Sequence, residues 1–102
     1  MNPEIIRHKA ELEDLCRRFG VRRLELFGSA AVGEYRPGES DLDFLVEFEE
    51  LSPGTYADTY FGLLEAIEEL FGARVDLVVA SAIKNPYFRK SVDDTKALLY
   101  AA

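Results

Sequence analysis

The chain has 102 residues, of which 48% are hydrophobic and 30% charged, with a formal net charge of −7. That length is enough for one core and predicts a single domain over residues 1–102, with no room for a separate substrate-recognition domain. The apolar content excludes a disordered chain, no run approaches the ~20 apolar residues of a membrane span, and the acidic balance argues against direct nucleic-acid binding.

The opening Met1-Asn2-Pro3-Glu4 reads as neither a signal peptide nor a basic transit sequence, so the expected address is the cytoplasm. Asn2-Pro3 is a helix-start pair, and Ile5, Leu12, Leu15, Cys16 and Phe19 then share one face, predicting a helix from Pro3 to Phe19 that Gly20 ends. Cys16 is the only cysteine and sits among apolar residues, which points to a small core residue and not a redox thiol. His8 has no histidine or cysteine partner of the kind ligand sets need and reads as a surface residue.

Val21 to Phe27 reads as a short strand punctuated by Gly28-Ser29, and Ala30 to Ser40, with Gly33, Pro37 and Gly38, reads as a short helix plus loop. Leu42 to Phe48 is the second strand. Its alternation sets Asp41, Asp43 and Leu45 on one side and Leu42, Phe44 and Val46 on the other. After Ser52-Pro53, Tyr56, Tyr60, Leu63, Leu64, Ile67, Leu70 and Phe71 recur at helical spacing until Gly72. Arg74 to Val79 is a valine-rich third strand expected to be central and buried, with Asp76 as a buried acid in its middle. Asn85-Pro86 repeats the helix-start pair, and Phe88, Val92, Thr95 and Leu99 predict a helix reaching almost to Ala102. Helices interleaved with strands give an α/β or α+β fold, a small mixed sheet flanked by helices.

Two acids two apart at the start of a strand project the same way, about 6.5–7 Å apart at the backbone. That spacing suits Mg²⁺, which takes one or two carboxylates and completes its shell with water and phosphate oxygens. A two-ion site needs a third acid, and Asp76 on a neighbouring strand is the candidate, making Asp41, Asp43 and Asp76 the expected catalytic and metal-binding set. Alone, Asp-x-Asp is also the pattern of solvated residues before a strand. Gly28-Ser29 directly after an apolar strand shifts the balance, since glycine allows close approach and free N–H groups with a hydroxyl can cradle a triphosphate. Lys84, Tyr87 and Arg89 read equally as a helix-entry surface or the border of a substrate opening, and Glu47, Glu49 and Glu50 as a solvated charge run.

Leu26-Phe27-Gly28-Ser29, Gly33-Glu34, Arg36-Pro37 and Ser40-Asp41-Leu42-Asp43-Phe44-Leu45-Val46 together resemble the DNA polymerase β-like nucleotidyltransferase superfamily, most nearly its minimal nucleotidyltransferase (MNT) family. The resemblance continues through Val75-Asp76-Leu77-Val78 and Asn85-Pro86-Tyr87-Phe88-Arg89-Lys90 to Leu98-Leu99-Tyr100-Ala101-Ala102. It implies that Gly28 and Ser29 hold the triphosphate, Asp41 and Asp43 ligate Mg²⁺, and Asp76 stands near the attacking hydroxyl. It further implies ATP as substrate, transfer of AMP to a tyrosine hydroxyl, and a HEPN-domain ribonuclease toxin as the partner that such antitoxins neutralise. Ala30, Ala31 and Val32 stand where the family often carries arginines, and eleven residues separate Ser29 from Asp41 where ten are common. The altered loop leaves a second expectation open: a catalytically weak module that neutralises its partner by contact.

Overall fold

A computed structural model describes residues 2–102 of the chain. Its elements run α1 (Pro3–Arg7), α2 (Lys9–Arg18), β1 (Val21–Phe27), α3 (Ser29–Val32), β2 (Leu42–Phe48), α4 (Tyr56–Phe71), β3 (Val75–Val79), a 3₁₀ turn (Ala80–Ala82), α5 (Pro86–Thr95) and β4 (Ala97–Ala101). The four strands form one mixed sheet in the order β3-β2-β1-β4. β1 is antiparallel to β2 and β4, and β2 is parallel to β3.

The alternation read from the second strand holds. Leu42, Phe44 and Val46 enter the larger core with Ile5, Leu12, Cys16, Leu63 and Ile67 from the helices, whereas Leu45 joins Phe27, Ala80 and Val92 on the opposite face. Each large aliphatic side chain sealed this way stabilises the fold by roughly 1.5–3 kcal/mol. Cys16 is fully buried, and burial pushes its thiol up to about 12, leaving it protonated and unreactive at neutral pH as its apolar setting predicted.

Three expectations change. The first helix is broken at His8, whose backbone (φ −101°, ψ 18°) leaves helical geometry between α1 and α2. His8 is accordingly no mere surface residue: its ring meets Phe71 edge-on at a centroid distance of 5.5 Å, and Nδ1 lies 2.7 Å from Glu11 Oε2. The predicted C-terminal helix ends at Thr95, and Ala97–Ala101 is a strand beside β1. Val92 and Leu99 are both buried, one on a helix face and one on a strand face, and their spacing mimicked a continuous helical stripe. Finally, β3 is an edge strand and not a central one, so Asp76 is exposed. The buried acid is Glu25 on central β1, only 5% exposed and 3.2 Å from the Nε of Arg23, which offsets its charge.

Among the described residues no helix is long and apolar enough to cross a membrane.

Candidate active site

The acids converge because of the register of β2. Asp43 lies opposite Phe27 on β1 and opposite Asp76 on β3, so it occupies the middle strand of a three-strand junction, with Gly28 directly after its β1 neighbour. Asp41 precedes Asp43 by two residues, just before β2, and is exposed. The structure therefore places all the sequence-predicted residues, Gly28, Ser29, Asp41, Asp43 and Asp76, at one end of the sheet.

Gly28 and Asp43 are fitted to each other. Gly28 has φ 71° and ψ −151°, a conformation that L side chains avoid, and a Cβ built on it would stand 2.5 Å from Asp43 Oδ2. The carboxylate thus rests against a backbone that only glycine leaves bare. The polar atoms of Gly28 are committed: its N–H donates to Thr95 Oγ1 at 2.9 Å and its carbonyl accepts from the Ala31 amide at 3.1 Å. The Ser29 carbonyl accepts from the Glu34 amide at 2.8 Å. Gly28's own N–H is consequently unavailable to a phosphate; the Ser29 amide and hydroxyl make no hydrogen bond among the described residues. Beside Ser29 opens a cavity of about 480 Å³ that Gly33, Glu34, Tyr35, Arg36 and Ser40 also line, so Arg36 is the cation that the loop brings to this side.

Asp43 carries the electrostatic strain of the site. Partial burial, then the nearby Asp76 and Asp41 carboxylates, push its pKa up to about 6. Asp41 is held differently, by Arg74 just before β3. Arg74 Nε lies 3.1 Å from Asp41 Oδ1, and its Nη2 donates to the Glu39 carbonyl at 3.3 Å. Sequence reading missed this pair, although parallel pairing of β2 with β3 aligns Asp43 with Asp76 and therefore sets the residues two before them side by side. Tyr60 on α4 is a second neighbour missed. Its hydroxyl donates to the Leu77 carbonyl at 2.5 Å, and burial followed by the Asp76 charge raises its pKa.

The donor set suits a hard divalent cation. The three carboxylates repel one another, and a cation would offset both the burial and the repulsion that raise the Asp43 pKa to about 6. Among the described residues no three His, Cys, Asp or Glu side chains, these three aspartates included, are gathered closely enough to hold a metal ion by themselves. Mg²⁺ takes such open sites, because phosphate and water oxygens supply most of its shell.

A family model described as a nucleotidyltransferase domain matches residues 9–99 of the chain. The chain belongs to the nucleotidyltransferase family. This nucleotidyltransferase is 45% identical over 78 residues to the protein adenylyltransferase MntA of Thermococcus cleftensis, covering 76% of this chain and 72% of that relative. It matches a solved structure provisionally named a minimal nucleotidyltransferase at 38% identity and a TM-score of 0.76, over 95% of both chains. A fold likeness at 16% identity and a TM-score of 0.64 joins it to a chain of the complex of the tri-AMPylated Shewanella oneidensis HEPN toxin with MNT antitoxin, over 95% of this chain and 72% of that one. The four-stranded mixed sheet flanked by helices is the polymerase β-like nucleotidyltransferase fold that the sequence predicted.

Arg74 would compete with a divalent cation for the Asp41 carboxylate. Replacing Arg74 with Gln removes a positive charge 3.1 Å from Asp41, so divalent cations will bind several-fold more tightly, as measured by Mn²⁺ titration followed by EPR. Stability will change by less than ~1 kcal/mol, because both groups are largely exposed. Unchanged or weaker Mn²⁺ binding would show that the pair does not restrain Asp41.

Proposed function

We propose that this nucleotidyltransferase transfers AMP from ATP to a tyrosine hydroxyl of a HEPN-domain ribonuclease toxin and thereby acts as its antitoxin. The observation that carries the reading is the convergence of Asp43 with Asp76 across the β2–β3 ladder and with Gly28 across the turn after β1. Kinship with MntA, named a protein adenylyltransferase, supports AMP as the group moved, and the fold shared with a chain of a HEPN–MNT complex supports the class of partner. Exposure of Asp76 on an edge strand supports a large acceptor, since a protein can bring its hydroxyl there without entering an enclosed pocket.

The transfer joins the acceptor oxygen to the α-phosphorus of ATP, breaks the bond from that phosphorus to the α–β bridging oxygen, and releases pyrophosphate. Asp76 is the group placed to take the hydroxyl proton. The Ser29 amide and hydroxyl meet phosphate oxygens, with Arg36 adding positive charge from the same cavity. Asp41, Asp43 and Asp76 are the residues that would hold Mg²⁺, in one or two ions, and bound Mg²⁺ supplies the charge that neutralises the phosphate oxygens.

Incubating the purified protein with Mg²⁺, labelled ATP and its co-expressed HEPN partner will label the partner on tyrosine. Asp41→Asn will abolish the label while leaving the circular dichroism spectrum unchanged. Absence of transfer to any co-purifying partner would overturn the reading. The Arg74–Asp41 ion pair and the arginine-free stretch Ala30-Ala31-Val32 favour the second reading, a weakly catalytic module that acts by contact. Calorimetry separates the two: tight partner binding without Mg·ATP binding selects the contact mode.

A further inference from the structure

The Thr95 hydroxyl, at the end of α5, is 67 residues from Gly28 in sequence, yet it accepts the Gly28 N–H at 2.9 Å in a partly buried setting. The same oxygen lies 3.2 Å from the Ser91 carbonyl and 3.3 Å from the Val92 carbonyl, to which its own proton donates. The hydroxyl is thereby oriented, with its proton directed into the helix and a lone pair toward the turn. The helix that carries it is itself fixed. Asn85 caps its first turn through the Tyr87 and Phe88 amides, Val92 is fully buried in the small core with Phe27, and Phe88 meets Phe27 edge-on at 6.1 Å.

We propose that Thr95 is a positioning residue for nucleotide binding: by taking up the Gly28 N–H it fixes the Phe27–Gly28 peptide, and with it the Gly28 turn, so that the Ser29 amide and hydroxyl remain open to phosphate. The inference rests on the nucleotidyltransferase reading of the site above. Its physical basis is that Gly28, having no Cβ, is the one residue of the turn free to rotate away from φ 71° and ψ −151°. With the Thr95 oxygen removed, a half-buried N–H loses its acceptor, and the turn gains by rotating to find another. Rotation there redirects Ser29 and disturbs the bare backbone against which Asp43 Oδ2 rests. Thr95 touches no reacting atom in this scheme.

The test compares Thr95→Val, which keeps the shape and removes the oxygen, with Thr95→Ser, which keeps the oxygen. The probe is Mg²⁺ with an ATP analogue whose α–β bridging oxygen is replaced by methylene, titrated calorimetrically into the full chain. Thr95→Val will weaken analogue binding about tenfold and raise the KM for ATP with a smaller effect on kcat, while Thr95→Ser stays within about twofold of wild type. Gly28 amide exchange followed by NMR will accelerate at least about tenfold in Thr95→Val and not in Thr95→Ser. Analogue binding by Thr95→Val equal to wild type, or equal losses in both variants, would overturn the positioning role while leaving the nucleotidyltransferase reading intact. Wild-type protein that binds no Mg-bound analogue would overturn that reading, and the role of Thr95 with it.

Discussion

Asp43→Asn is expected to make the protein more stable and to stop it working. In the folded chain Asp43 holds its proton up to about pH 6, whereas an unfolded aspartate releases it near 3.8. The native state therefore binds more protons across that interval. The stability associated with protonation is complete below pH ~4 and is lost as pH rises through 6, so at neutral pH the metal-free fold carries the full cost of an ionised Asp43 beside Asp76 and Asp41. Asparagine removes that cost, and after allowance for solvent screening the gain is on the order of 1–2 kcal/mol. On the proposed function, transfer activity will fall by roughly a thousandfold, since a carboxylate that would hold the metal is lost, and with it several kcal/mol of charge stabilisation in the transition state. Thermal denaturation at pH 5 and pH 7.5, with and without millimolar Mg²⁺, measures all of this at once. Wild type will gain stability from Mg²⁺ and from the lower pH, and Asp43→Asn will gain from neither. A variant no more stable than wild type at pH 7.5 would show that Asp43 is not under electrostatic strain.

Gly28→Ala is the substitution that will damage both fold and site. The methyl group enters a φ of 71° with ψ −151° and lands 2.5 Å from Asp43 Oδ2, so either the turn or the aspartate must move. Backbone strain of ~1–3 kcal/mol, with up to ~1 kcal/mol more for turning the Asp43 carboxylate aside, predicts a loss of about 1–4 kcal/mol. Urea denaturation will register that loss, and transfer will be abolished even in the fraction that stays folded, because Asp43 is displaced. The two contributions separate in a double variant. Adding Asp43→Ala to Gly28→Ala removes the clash but not the strain, so part of the stability returns and none of the activity. A Gly28→Ala protein with wild-type stability would mean that the turn is free to relax, contrary to its tie to Thr95.

That Gly28, Asp41 and Asp43 lie together was legible in sequence because their placement follows local rules. The i, i+2 spacing of Asp41 and Asp43 sets them on one side of a strand, and a glycine after an apolar strand marks a sharp turn. What escaped was decided at long range. The valines around Asp76 are equally compatible with a central or an edge strand, and only the order β3-β2-β1-β4 leaves that acid exposed while sealing Glu25 inside. Ala97–Ala101 pairs with a strand some seventy residues earlier, and nothing local prevented Leu99 from being read as one more turn of helix. The Arg74–Asp41 and Thr95–Gly28 contacts belong to the same class. Each joins a residue of known motif to one whose only qualification is where the sheet register puts it.

The separation between β1 and β4 also bears on how the protein is made. β1 is a central strand whose β2 flank is supplied early, but its other flank stays open until Ala97–Ala101 has left the ribosome. Closure of so distant a pairing is slow compared with helix formation, and an unpaired central strand is a surface for misassociation during that wait. The Gly28 turn gains its hydrogen bond from Thr95 in the same late stretch of synthesis. A nascent chain that already contains Asp41, Asp43 and Asp76 therefore still lacks the Thr95 contact that holds the turn beside them, and that end of the sheet takes its final shape only as the last strand is added.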